Sequence, residues 1–451
     1  MSPPLNRRQF VRGAGAFGFG AAVLPGGRLF AAPGKKIRHA CIGIGGMGAG
    51  DFSQFAGHPA VEVVAVCDID VARSQGVRAQ VPGATYYQDW RELLAKESLD
   101  SVNVSTPDHM HAPITMTALS RGCHVYCQKP LTHDIHEARM IAAKAAEAGR
   151  VTQMGTQLAS GIGDRIAVEW IRSGVIGKVR EVFLWSNKPP EKYRPEGPRP
   201  ENSDPVPDSL NWDGWLGTAP ERPYVTGVYH PTWWRGWQDF GCGWLGDMGC
   251  HIMDMPFRAL ELGMPLSVRA EVEPEWFAHP QRRVETFPRW QIVEYIYPGT
   301  GFTAGESVKL TWSDGGKYPA DELRAHIGGR SWPTQGALML GGDGALMMEH
   351  GGGPQLYPRE RMASIKAPKL APQQHYHQFI DAILGKNGGQ THSAFPYAAR
   401  MTEMVLMGTI ALRFPGRKLA WDAAAMSFPE VAEANRFVRR KYRKGWEVAG
   451  L

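Results

Sequence analysis

Beyond the first 32 residues the chain has no apolar run approaching the about 20 residues that a membrane-spanning helix needs. Cysteine is scarce, six in 451 residues, and no C-x-x-C or paired Cys/His spacing occurs. A structural zinc site is therefore not expected. Cys41, Cys67, Cys123 and Cys127 fall in or beside apolar strand-like runs, where free cysteine packs as a small hydrophobe. On one strand, Cys123 and Cys127 would stand about 13 Å apart, too far for a disulfide. Cys242 with Cys250 stays open, with nothing to argue for it. There is no internal repeat, and the 53 glycines and 34 prolines are spread along loops without a period, which excludes collagen-like and low-complexity chains.

Acidic residues are missing from the first 32 positions, which hold Arg7, Arg8, Arg12 and Arg28. The formal charge of +6 arises largely there, because without those four arginines 46 basic residues face 44 acidic ones, or +2. A nearly neutral body gives no electrostatic case for nucleic acid or an anionic membrane. The leader itself reads as a charged segment, a Gly/Ala-rich apolar stretch to Leu24 and small residues at Ala31-Ala32. Its paired arginines before Phe10 resemble the twin-arginine export signal. Residues 1–32 are therefore expected to be a signal peptide, cleaved after Ala31 or Ala32, and the protein periplasmic or otherwise exported. A helix of the fold is the competing reading, and the leader's glycines argue against it.

From Lys36 short β-rich runs (37–44, 61–67, 101–104, 124–127, 151–154) alternate with helical patterns (47–56, 71–80, 112–121, 135–148). Such alternation predicts an α/β fold, a doubly wound parallel sheet of the Rossmann type over residues 36–156. Residues 157–451 read as a substrate-binding α+β domain with a broad, largely antiparallel sheet, including strands at 179–185, 268–272, 291–296 and 307–312 and helices at 374–384 and 398–412. A short helix is expected to start at Asp247.

The first strand runs into Gly43-Ile44-Gly45-Gly46-Met47-Gly48, a G-x-G-x-x-G match. Glycines there permit a tight turn and close backbone approach to a pyrophosphate at a helix N-terminus. Asp68 follows Gly48 by 20 residues, at the end of the next strand. A carboxylate in that position can accept ribose hydroxyls and repels a 2′-phosphate, which favours NAD over NADP, although Arg73 is close by. Ser105-Thr106-Pro107-Asp108-His109-Met110-His111 and Cys127-Gln128-Lys129-Pro130 each follow a strand. Ligands of doubly wound sheets bind beyond such carboxyl ends, so Lys129 is placed to exchange a proton with a substrate hydroxyl. On residue type alone, a surface lysine before a turn proline is the simpler reading.

Taken together, residues 36 to about 251 resemble the Gfo/Idh/MocA oxidoreductases, relatives of glucose–fructose oxidoreductase and inositol dehydrogenase. That family carries a glycine fingerprint, a T-P-N-x-x-H segment and an E-K-P strand end. Thr106-Pro107-Asp108 through His111 matches the second with Asp for Asn, and Gln128-Lys129-Pro130 the third with Gln for Glu. The resemblance implies that Lys129 is the catalytic lysine and that His111 lies near the nicotinamide. It also implies cofactor contacts from Gly43, Gly45, Gly46, Met47, Gly48, Asp68, Ser105, Thr106 and Gln128. Homo-oligomers formed through the second sheet are a further implication. Gln157, just past the last strand of the first domain, is a candidate nicotinamide-side contact.

Asp247, His251 and Asp254 are spaced i, i+4, i+7, on one face of a helix. A carboxylate there can fix the histidine tautomer and raise its basicity. An N-capping Asp247 with a core histidine, or a metal set, would use the same spacing. The resemblance favours the first reading, since the family has D-x-G-x-H-x-x-D in its second domain, and it implies Asp247 and His251 as sugar-binding and acid/base residues. Upstream, Tyr229-His230-Pro231-Thr232-Trp233-Trp234-Arg235 lies in a tryptophan-dense stretch, with six between positions 211 and 245. Tryptophan stacks on sugar C–H faces and arginine offers fixed donors. His230, Trp234 and Arg235 are thus candidate substrate contacts, while Trp212 and Trp215 are expected to be structural. His375 and His377 read as ordinary helix residues.

The expected activity is hydride transfer between NAD and a hydroxyl-bearing ring carbon of a sugar, glycoside or cyclitol. Because free NAD is not expected outside the cytoplasm, the cofactor should stay bound and be recycled. A redox-neutral NAD-dependent glycosidase working through a transient keto-sugar is the alternative, and a non-catalytic NAD-loaded sugar sensor a further one.

Overall fold

The computed structural model describes residues 35–187 and 195–451; the leader with its paired arginines, and residues 188–194 of the Pro-rich loop, lie outside them. Six strands, β1 (Ile37–Ile42), β2 (Val61–Cys67), β3 (Thr85–Tyr87), β4 (Ser101–Val104), β5 (His124–Cys127) and β6 (Thr152–Met154), form one sheet in the order β3-β2-β1-β4-β5-β6. Every ladder in it is parallel. Helices α1 (Met47–Ala56), α2 (Val71–Arg78), α3 (Trp90–Lys96), α4 (His111–Ser120) and α5 (Ile135–Ala148) connect the strands. β4 and β5 are buried along their whole length, which explains their lack of apolar–polar alternation. Helix α5 begins on a reciprocal capping box between Asp134 and Glu137 and ends at left-handed Gly149.

β1 lies between β2 and β4, where the strand order reverses, and its carboxyl end opens the crevice that takes ligands in such sheets. The pair β3 and α3 is not apparent from the pattern of the sequence. Three residues are too few to show a period, and α3 is one short amphipathic helix behind them.

Helix α6 (Ile162–Arg172) leads into a second sheet. Its eight strands are β7 (Val179–Ser186), β8 (Ser267–Val272), β9 (Gln291–Pro298), β10 (Ser307–Asp314), β11 (Gln335–Gly341), β12 (Ala345–Glu349), β13 (Pro354–Tyr357) and β14 (Lys418–Ala420). They run β13-β12-β11-β7-β10-β9-β8-β14, with β7 and β10 parallel and the other ladders antiparallel. Helix α7 (Trp212–Leu216) belongs to the tryptophan-rich segment, and α8 (Gly243–Ile252) and α9 (Asp254–Ala259) follow it. Helix α8 starts a turn before Asp247, so this aspartate is inside the helix and is not its cap. Helix α10 (His375–Ile383) packs on the first domain, and α11 (Phe395–Ala411) runs between the two sheets, touching α5, β6, α8 and β8.

One apolar cluster therefore continues from Val102 and Val125 through Val405 and Met407 to Val293 and Leu310. The tryptophan-rich segment has a small core of its own, in which Trp212 and Trp215 stack 4.8 Å apart beside Tyr229, Trp237 and Phe240. All six cysteines are free and buried.

Candidate active site

The turn after β1 is built on glycine for steric reasons that can be measured. Gly43 has φ +80°, and a Cβ on it would stand 2.6 Å from the carbonyl oxygen of Ser105. A Cβ on Gly48 would lie 1.9 Å from the carbonyl oxygen of Gly43, so α1 can rest on the turn only without a side chain there. Gly46 caps α1 at φ +54° and offers no side-chain acceptor, which leaves the helix end to an anion. At Gly45 a Cβ would meet nothing nearer than 3.6 Å, and its nearest neighbours are the side chains of Arg73 and Asp68. Met47 is 61% exposed at the mouth.

Asp68 supports this turn. Its Oδ2 accepts from the N–H groups of Ile44 at 2.9 Å and Gly45 at 3.0 Å, and Oδ1 accepts from Asp70 N at 3.0 Å. Burial raises its pKa and these N–H donors work against the rise. Asp68 and Arg73 line one cavity with Gly43, Gly45, Ser105 and Thr106, and at its other end lie Gln128, Lys129, Trp234 and Arg235. The cavity measures about 350 Å³. Thr106 Oγ1, on its wall, is buried without a hydrogen-bond partner. A glycine cradle, an open helix end and an orphaned hydroxyl fit a dinucleotide.

β5 delivers Lys129 to the far end. Its Nζ donates to Oδ1 of Asp247 at 2.5 Å and to the Asp247 carbonyl at 3.0 Å. Arg235 donates through Nε to the same Oδ1 at 3.1 Å, with its guanidinium 4.1 Å over the Trp234 ring. Burial alone would raise the carboxyl pKa of Asp247, but the adjacent Lys129 and Arg235 hold it well below the usual range. Asp108 lines the same cavity, accepting from Cys242 N at 3.0 Å. Burial pushes its carboxyl up to about 7, against the pull of Arg235 and Lys129. Two cations and two carboxyls of opposite displacement thus meet at one end of the cavity.

Behind this end lies a layer that motif reading does not reach. Asp51, on the inner face of α1, accepts from Ser105 Oγ at 2.6 Å, Gln128 Nε2 at 2.9 Å and Tyr376 Oη at 2.8 Å. The side-chain Oε1 of Gln128 in turn accepts from Lys129 N at 3.3 Å. With Gln in place of the expected Glu at 128, a buried carboxylate is still present, supplied by Asp51. One signal was available: Gly48, Asp51, Phe52 and Phe55 share the buried face of α1, and an acid on such a face needs a reason.

Several candidate residues stand elsewhere. His111 does not line the cavity: it is buried behind Lys129-Pro130, with Nδ1 2.7 Å from Pro130 O and Nε2 2.9 Å from Thr106 O. Burial lowers its pKa to about 4, so the neutral ring donates to one of these carbonyls and braces the two loops. Gln157 is likewise outside the cavity, where its Nε2 donates to Tyr376 Oη at 3.0 Å. His230 lines the cavity at the Asp68 end, its Nε2 2.9 Å from Asp70 Oδ2, and so stands apart from Lys129. His251 pairs with neither carboxylate of its helix face. The Asp247 carboxylate is taken by Lys129 and Arg235, and that of Asp254 by Arg258 at 2.8 Å and Tyr397 at 2.8 Å. Cations capture both acids instead: Lys129 and Arg235 reach Asp247 from other elements, and Arg258 pairs with Asp254 one turn along α9 itself. His251 Nδ1 is buried without a partner, and the ring lines a separate small cavity with His350. Among the described residues no cluster of three or more His, Cys, Asp or Glu has the geometry of a metal site.

Residues 37–156 match the oxidoreductase-family NAD-binding Rossmann fold named GFO_IDH_MocA, and residues 173–303 match the C-terminal alpha/beta domain of the same family. The chain belongs to the Gfo/Idh/MocA oxidoreductase family. An inositol 2-dehydrogenase of Arthrobacter sp. (strain FB24) is 35% identical over 116 residues, 26% of this chain and 34% of that protein. A glycosyl hydrolase family 109 protein of Shewanella pealeana is 26% identical over 202 residues, 39% of this chain and 44% of that protein. The matches thus span between about a third and just under half of these relatives. The fold is shared with the WlbA dehydrogenase from Bordetella pertussis, solved with NADH and UDP-GlcNAcA, at TM-score 0.60 and 16% identity over 86% of this chain and 99% of that one. An inositol dehydrogenase homolog from Azotobacter vinelandii, solved with NADH and myo-inositol, superposes at TM-score 0.57 and 17% identity over 88% of this chain and all of that one. In this chain residues 37–156 are the NAD-binding domain.

Proposed function

We propose that this chain is an exported NAD-dependent oxidoreductase acting on a hydroxyl of a sugar, glycoside or cyclitol, with its cofactor retained and recycled. The observation that carries this reading is the Lys129–Asp247–Arg235 cluster at one end of the cavity whose other end is the glycine turn. The turn, Asp68 and Thr106 would hold NAD, which supplies the acceptor and donor of hydride. In reduction the Lys129 ammonium, steered by Asp247, delivers a proton to the carbonyl oxygen; in oxidation the neutral amine receives the hydroxyl proton. Arg235 and Trp234 offer the donors and apolar face that orient a hydroxylated ring. The inositol and sugar-nucleotide relatives support this substrate class.

Retention is supported by the tryptophan-rich segment, which runs across the cavity. His230, Pro231 and Thr232 line it, and the segment is tied to the first domain by Asn211 N to Ile69 O and Val71 N to Ser209 O, both 2.9 Å. Export rests on the leader, and homo-oligomerisation through the outer face of the second sheet belongs to the same reading. The family 109 glycosyl hydrolase match favours a second reading, glycoside cleavage through a transient keto-sugar without net change in the cofactor.

One experiment tests both. Purified protein is incubated with a panel of sugars, cyclitols and glycosides, then denatured, and the released dinucleotide and products are quantified. NAD that co-purifies and changes redox state with a sugar or cyclitol supports the oxidoreductase; free sugar from glycosides with unchanged NAD supports the second reading. Absence of co-purifying dinucleotide overturns retention, and equal turnover by Lys129→Ala overturns both.

A further inference from the structure

Gly241 and Cys242 line a second cavity, and Cys242 also touches the candidate active site. There Cys242 N holds Asp108. The second cavity measures about 230 Å³ and is lined by His133, Gln238, Arg413, Arg436, Phe437 and Lys441 among others. The Arg413 guanidinium donates only to neutral acceptors, Thr409 O at 2.6 Å and Gln238 Oε1 at 2.7 Å. It lies 4.4 Å over the Phe437 ring, and Arg436 lies 4.6 Å over the same ring. Two like charges therefore share one aromatic side chain, with Lys441 beside them.

Among the described residues no carboxylate forms an ion pair with Arg413, Arg436 or Lys441. The two acids that line the cavity are committed elsewhere. Asp134 caps α5 and accepts from Arg440 N at 2.9 Å, and Asp239 pairs with Arg222 and Arg199. The His133 ring lines the same cavity, and burial, with Arg440 and Arg413 nearby, holds its pKa well below the ordinary value, so the ring stays neutral. Neighbouring guanidinium groups that share one aromatic ring and lack an anion repel each other, and an oxyanion offsets that repulsion through paired N–H donors.

We propose that this second cavity binds a small oxyanion, either an inorganic one such as phosphate or sulfate or the carboxylate of an acidic sugar, between Arg413 and Arg436. The site is separate from the dinucleotide cavity and does not rest on the function proposed above.

Calorimetric titration of the full-length protein tests it, with saturating NAD present so that the glycine turn is filled. The probes are sodium phosphate, sodium sulfate, glucuronate and, as a neutral control, glucose. One-to-one binding of at least one anion is expected, weakened about tenfold in Arg436→Gln, the loss of one charge-assisted contact. Binding of phosphate and sulfate alone assigns an inorganic ligand, and preference for glucuronate assigns an acidic sugar. Arg436 is exposed, so this variant stays informative if Arg413→Gln fails to fold. No saturable anion binding, or unchanged binding in Arg436→Gln, overturns the proposal.

Discussion

Lys129 and Asp108 act on the same cluster and separate in experiment. Replacing Lys129 by Met removes the amine that touches Asp247. Turnover is expected to fall by about 10² to 10⁴, the range of one general acid–base group, while NAD binding measured by fluorescence stays within about threefold. Asp108 concerns stability. Its carboxyl titrates near 7 when folded against 3.8 for the ordinary group, so the folded state binds that proton more tightly. Below pH 4 both states are protonated and nothing is lost. As pH rises from about 4 to 7 the unfolded chain ionises first, so stability falls, and above 7 the deficit is constant. Asp108→Asn removes the deficit. It should match wild type in thermal unfolding at pH 4 and exceed it at pH 8 by roughly 1–3 kcal/mol. An equal shift at both pH values would show that the gain is unrelated to ionisation.

At the scale of elements, two glycines two residues apart in α1 should behave oppositely. Gly48→Ala drives a Cβ into the Gly43 carbonyl, whereas nothing lies within 4 Å of a Cβ on Gly50. Gly48→Ala should abolish NAD binding; Gly50→Ala should retain it and raise stability by about 0.5–1 kcal/mol, the helix propensity difference. Titration with NAD and thermal unfolding check the pair. The contrast also shows what the sequence makes legible. The glycine turn, Asp68 and Lys129 can be found because each is a local pattern at a strand end. The i, i+4, i+7 set, which spans α8 and the start of α9, was legible as a spacing but not as a network. Its acid Asp247 is matched by Lys129 from 118 residues away, and periodicity carries no information at that separation. Asp51, Gln128 and Tyr376 share one carboxylate across up to 325 residues and left only a faint trace, an acid on an apolar helix face. Helix α8 begins earlier than expected, at Gly243, where φ of +67° and the Phe287 ring 2.7 Å from an added Cβ leave room for glycine alone.

At the scale of the molecule, the two sheets share one apolar core through α11, and the chain end closes back on the first domain. Arg440 donates through Nε to Glu137 Oε1 at 2.8 Å, and Tyr442 Oη donates to the same oxygen at 2.6 Å. Glu137 is 1% exposed, and its other oxygen is taken by the backbone N–H groups of His133 and Asp134. The loop that carries Lys129 into α5 is thus anchored by residues more than 300 positions later in the chain. Arg440→Ala leaves this carboxylate buried without its cation and should cost about 3 kcal/mol, read as a lower midpoint in a single denaturant transition. Glu137→Gln removes the stranded charge, so in that background the same arginine substitution should cost markedly less. A full cost in both backgrounds would mean that Arg440 acts through its packing and its contact with the His109 carbonyl. The anchoring of the Lys129 loop would then be steric, and salt would leave it unchanged.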